Sequence, residues 1–133
     1  MLVVPALFSQ QSPREQVRKL LDDQTAAWNR GDLVGFMHGY DNSSELTFFS
    51  GDNIAKGWDA TLARYRQRYQ GEGKEMGHLS FTDAEIQVLG PSSAVFTARW
   101  HLAMTNGKKL EGLTTVICKL TKDGWKIVHD HSS

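Results

Sequence analysis

From His78 to the end, the chain reads as four strands joined by tight turns, and this restricts its fold more than any other feature. "HLSFTDAEIQVLG" alternates from Phe81 on, "GPSS" turns, and "AVFTARWHLAMT" is a long strand. "NGKK" is a strong hairpin signal, "LEGLTTVICKLT" is its partner, "KDG" turns again, and "WKIVHDHSS" is the last strand. Four strands in meander make an antiparallel sheet, and helices on one face of such a sheet make an α+β layer fold.

The helices lie upstream. In "SPREQVRKLLDDQTAAWNRGD", Ser12 can cap, Pro13 takes the first helical position and Glu15 stands three residues past the cap. Val17, Leu20, Leu21, Gln24 and Trp28 follow helical spacing, and Gly31 ends the helix. Asp32 caps a short second helix whose apolar face is Leu33, Phe36, Met37 and Tyr40. "ELTFFS" is a short strand, "GDN" a turn, and "GWDATLARYRQRYQ" a third helix with Trp58, Leu62, Tyr65 and Tyr69 on one stripe. Residues 13–133 therefore form one domain, preceded by a leader over 1–12. The apolar run Leu2 to Phe8 is too short to span a bilayer and resembles the tail of a secretory signal without its basic start. An exported bacterial protein is expected, periplasmic or secreted, with a cytoplasmic one as the alternative.

Charge excludes some partners. Lys plus Arg is 15 and Asp plus Glu is 15, so the basic face needed for nucleic acid is not expected. No Lys/Arg run exceeds two residues, which argues against polybasic membrane attachment. The single cysteine, Cys118, sits in an apolar strand and reads as a small buried hydrophobe.

Order and spacing then point to a family. Asn29-Arg30-Gly31-Asp32 after the first helix, Asp123-Gly124-Trp125, and the ending Val128-His129-Asp130-His131-Ser132-Ser133 resemble the nuclear transport factor 2-like superfamily. That superfamily includes the SnoaL-like cyclases and the association domain of calcium/calmodulin-dependent protein kinase II. The resemblance covers roughly residues 14 to 133. It implies a cone: a curved, mainly antiparallel sheet with three N-terminal helices covering its concave face, and a cavity at the open end. It also implies pairing through the outer sheet face, hence a homodimer. Function is not implied by fold alone.

Alternation on the long strand sets Phe96, Ala98, Trp100 and Leu102 on one face and Val95, Thr97, Arg99 and His101 on the other. The apolar set should line the core and the cavity. The resemblance adds Gln24, Trp28, Tyr40, Phe48, Trp58 and Tyr65, with Trp28 and Trp58 mainly in packing. An aromatic pocket for a small hydrophobic ligand is the expectation. Ketosteroid isomerase chemistry is not expected. The catalytic tyrosine's position falls on Gln24, the base on or beside Phe48, and the second acid near Thr115 or Val116, and none can do its job.

The groups left for proton transfer are His129, Asp130 and His131, with His101 and His78 as further candidates. On a regular strand His129 and His131 share one face and Asp130 takes the other, so Asp130 cannot orient either neighbouring ring. We expect the histidines at the cavity rim; the opposite parity would make Asp130 the candidate base and send the rings to a subunit interface. Two histidines at i and i+2 can hold a metal only with a third ligand such as Glu111, His101 or Glu85, which the spacing does not demand. No metal and no cofactor are expected. Three functions stay open: a cofactor-independent SnoaL-like enzyme or binding pocket, an oligomerisation module like the kinase association domain, or a small exported protein whose cavity holds any apolar ligand.

Overall fold

A computed structural model describes residues 11–133. The Leu2–Phe8 segment, on which export rests, lies outside the described residues. Among the described residues no helix is long and apolar enough to cross a membrane.

The first helix, α1 (Pro13–Asn29), starts as its punctuation requires: Ser12 accepts a hydrogen bond from the Glu15 amide at 3.1 Å. It buries Val17, Leu21, Gln24, Ala27 and Trp28. Gly31, at φ +78°, takes the left-handed conformation that stops it. Asp32 then caps α2 (Leu33–Met37) through the Gly35 amide at 2.8 Å. Next come β1 (Thr47–Ser50), β2 (Asn53–Lys56) and α3 (Trp58–Tyr69), followed by the meander β3 (His78–Gly90), β4 (Ser93–Ala103), β5 (Lys109–Thr121) and β6 (Gly124–Ser132).

The six strands form one sheet in the order β2-β1-β6-β5-β4-β3. β1 runs parallel to β6, and every other pairing is antiparallel. β2 is an addition to the sequence reading, which took "GDN" as a turn leading straight into the helix. Its burial explains the omission: Asn53, Ile54 and Lys56 are exposed, so this edge strand carries no apolar alternation. The curved sheet packs its inner face on the helices. Ala94, Phe96, Ala98 and Leu102 of β4 are buried there with Val116 and Cys118 of β5, against Val17, Leu21, Trp28, Phe36 and Leu62. The alternation assigned to β4 is thus observed.

Three irregularities break the register elsewhere, two in β3 (at Thr82/Glu85 and Val88/Gly90) and one in β6. Thr82 faces Arg99 and Glu85 faces Thr97, so the β3 ladder slips by one residue around Asp83, whose φ is +54°. That slip lets both Phe81 and Ile86, five residues apart, pack on the core. The irregularity in β6 decides the site.

Candidate functional site

Trp125 and Ile127 of β6 are buried in the core. Strict alternation from them would turn His129 and His131 inward. Instead β6 carries a bulge. Ile117 and Cys118 are consecutive on β5, yet they face His129 and Ile127, leaving Val128 as an extra residue. One extra residue moves every following side chain to the other face. Asp130 therefore points into the core, 4 % exposed. The expectation of histidines at the cavity rim is corrected: neither ring lines the cavity, and both lie on the outer face. His129 Nδ1 is 2.6 Å from Thr47 Oγ1, and Phe49 packs edge-on against both rings.

Around Asp130 the chain converges from four places. Residues 39–41 lie along β6 through hydrogen bonds from the Ile127 amide to Gly39 O and from the Asp41 amide to Ile127 O, both 2.8 Å. This fixes Tyr40 beside the bulge. The Tyr40 hydroxyl donates to Asp130 Oδ2 at 2.6 Å. The Ser132 hydroxyl donates to Oδ1 at 2.7 Å, and Thr114 stands 3.4 Å from that oxygen and 2.9 Å from Ser132 Oγ. Thr114 reaches this point because β5 pairs it with Ser132. Tyr65, from α3, lies 2.9 Å from Tyr40 Oη. The Tyr40 proton is committed to the carboxylate, so Tyr65 donates to Tyr40 and keeps its own lone pairs free.

Burial sets the electrostatics. It pushes the Asp130 carboxyl above its ordinary value, against the stabilising hydrogen bonds of Tyr40, Ser132 and Thr114 and the charge of His129. It pushes Tyr40 and Tyr65 well above theirs, helped by the nearby Asp130 charge, so both stay neutral donors. The Cys118 thiol is pushed up to about 12 by burial and by Asp130, which leaves it an inert core group.

This cluster forms part of the wall of a cavity of about 250 Å³. That exceeds the roughly 150 Å³ of an engineered apolar cavity that admits benzene. Of the residues expected in the pocket, Gln24, Trp28, Tyr40, Phe48, Tyr65 and Trp100 line it, together with Asp130. Trp58 does not: its Nε1 donates to Met37 O at 2.8 Å and its ring packs on the core. Gln24 is turned partly to structure, donating to Phe36 O at 3.1 Å in the last turn of α2. The aromatic wall is closely set, with Tyr65 stacked on Phe48 at 5.0 Å and Trp28 edge-on to Phe36 at 4.9 Å. Arg64, Arg68, Thr114 and Ser132 also line the cavity and were not anticipated. The arginines had a legible signal, an i, i+4 pair interleaved with Tyr65 and Tyr69. Thr114 and Ser132 had none without the register.

Among the described residues, no group of three or more His, Cys, Asp and Glu side chains is placed to hold a metal ion. His101 bonds Thr82 at 2.7 Å and lies 3.3 Å from Glu111. Glu85 shares a row with His131 through Thr97 and Thr115, but three strand spacings away, about 14 Å.

Solved structures resemble the chain over nearly its whole length. An NTF-2-like protein of unknown function from Shewanella oneidensis MR-1 is 36% identical, with 91% of this chain and 98% of that one covered and a TM-score of 0.83. An NTF2-like superfamily protein from Salmonella enterica serovar Typhimurium shares 20% identity over 90% and 88% of the two chains, at a TM-score of 0.73. A putative calcium/calmodulin-dependent protein kinase II association domain from Xanthomonas campestris shares 18% over 99% and 91%, at 0.67. No curated protein matches the sequence. The model of the SnoaL-like domain matches residues 17–133, which takes in every residue of the cavity wall, and the chain belongs to that family.

Proposed function

We propose that this protein binds a small, mainly apolar molecule in the cavity and exchanges a proton with it through Asp130, without a cofactor. The observation that carries this reading is the Tyr65–Tyr40–Asp130 chain of hydrogen bonds at an aromatic cavity wall. With Asp130 ionised, every proton in the chain points toward the carboxylate, and the Tyr65 oxygen accepts from a ligand hydroxyl. With Asp130 protonated, the chain can reverse, and Tyr65 donates to a ligand oxygen. A carboxyl held above its ordinary value by burial suits such an exchange. Calorimetric titration with 2-naphthol tests the reading. Wild type should bind, and Asp130→Ala or Tyr65→Phe should weaken binding about fivefold or more. Equal binding by all three proteins contradicts it.

A second reading, assembly through the outer sheet face, is favoured by Leu113, which is 54 % exposed on β5, and by the Phe49–His129–His131 cluster on the neighbouring strands β6 and β1. Around them Arg99, His101 and Thr115 keep the face mixed in polarity, which suits a homodimer seam more than an obligate apolar core. The two readings use opposite faces of one sheet and are compatible.

A further inference from the structure

We infer that the molecule taken into this cavity carries an anionic group of carboxylate size, held at the cavity mouth by Arg64 and Arg68. This rests on the cavity being a binding site, as proposed above, and specifies the chemistry of its ligand.

The exposed members of the cavity wall mark its mouth, and Arg68 and Asn53 are among them. Arg64 and Arg68 are four residues apart on α3 and so share one helix face. Both belong to the wall. The Arg68 guanidinium carbon stands 5.4 Å from the centroid of the Tyr69 ring, which fixes its head beside the aromatic wall. The charges of both arginines act on the Tyr69 hydroxyl and offset part of the upward push of its burial. Two full positive charges therefore converge on one end of an otherwise aromatic cavity.

Neither charge is matched by an ion pair among the described residues. Every ion pair formed by the described residues uses other cations: Arg18, Lys19, Arg30, Lys56 and His101. Residues 1–10 contain no Asp or Glu that could serve. The Nε–H of Arg64 has no accessible surface and no hydrogen-bond partner among the described residues, so a ligand reaches it only if the side chain turns toward the cavity. A buried donor on a permanently charged group is costly to leave unpaired. The two Nη groups at the end of a guanidinium form a fork that grips a carboxylate in two parallel hydrogen bonds. Lysines at these positions would offer charge without that fork.

Asp130 does not conflict with an anion here. The residue is 4 % exposed and its carboxyl is enclosed by Tyr40, Ser132 and Thr114, while Arg68 is exposed at the mouth. The arrangement suits an elongated molecule: carboxylate at the arginines, aromatic or alicyclic body along Phe48 and Tyr65, and a hydroxyl or carbonyl at the Tyr65 end.

The test compares 6-hydroxy-2-naphthoate with its neutral amide, 6-hydroxy-2-naphthamide, by calorimetric titration of wild type and of the Arg64→Gln, Arg68→Gln double variant. Thermal melting checks that the variant folds; Arg64→Lys serves as a second, milder variant. Wild type should bind the carboxylate about tenfold or more tighter than the amide. The preference should fall below about threefold in the double variant, through a loss of carboxylate affinity larger than any loss of amide affinity, and be reduced in Arg64→Lys. Equal affinity of wild type for both compounds overturns the anion inference while leaving the cavity as a binding site. A carboxylate preference that survives in the double variant overturns the assignment to these arginines. Failure of wild type to bind either compound overturns the cavity reading and this inference with it.

Discussion

Asp130 is a carboxylate the fold holds at a cost. Its raised folded value means that its protonated form is favoured by folding, so the stability it contributes is fully present below the ordinary carboxyl value of 3.8 and is lost as pH rises through the folded value. Urea melts over a pH series should show wild type losing stability relative to Asp130→Asn across that window; a flat difference contradicts the assignment. The hydroxyls around Asp130 should rank by what they donate to. Tyr40→Phe removes a donor to a buried carboxylate and should cost about 1.5–3 kcal/mol, whereas Tyr65→Phe removes a neutral link and should cost about 0.5–1.5 kcal/mol. Equal costs in urea melts would mean that the Tyr40 bond is not charge-assisted.

One inserted residue in β6 has the largest consequence of any element-scale feature. Most of the fold was legible: the alternation of β4, the capping of α1 by Ser12 and the "NGKK" hairpin all follow from local chemistry that the structure keeps. The pocket aromatics Tyr40, Phe48, Tyr65 and Trp100 were legible through the family resemblance and β4 parity. What was not legible is the bulge. "WKIVHDHSS" contains no glycine or proline at Val128, and Trp125 and Ile127 invite an alternation that would carry both histidines inward. The extra residue is fixed by long-range pairing, with Tyr40 and β5 holding Ile127 on one side and β1 holding His129 on the other. A direct check is deletion of Val128. It would remove the bulge and leave Ile127 inward, His129 outward and Asp130 inward in a regular ladder, so the Asp130 cluster should keep its partners and the variant should stay within about 1 kcal/mol of wild type. A deletion variant destabilised by about 3 kcal/mol or more, as when a buried polar cluster loses its partners, would refute the assignment of Val128 as the extra residue. Conversely, His129→Gln and His131→Gln should leave 2-naphthol binding within about twofold, since neither ring lines the cavity; a larger loss in calorimetric titration would return the histidines to the site.

For the whole molecule, the curved sheet separates two chemistries. Its inner face, with the helices, encloses the aromatic cavity, the Asp130 cluster and the two arginines. Its outer face carries Leu113, Phe49 and the two histidines among polar neighbours. The proposed seam on that outer face predicts a homodimer in sedimentation at micromolar concentration, and Leu113→Glu should shift it toward monomer; a wild-type monomer refutes the seam. The claim on which the account turns is that ligand enters by the inner face and meets Tyr65 and Asp130. Intermolecular nuclear Overhauser effects between 2-naphthol and protein test it most directly. The account predicts contacts from the naphthol to ring protons of Tyr65, Phe48 and Phe96, all on the cavity wall. Contacts confined to Phe49, His129 and His131 would place the ligand on the opposite face of the sheet and contradict it.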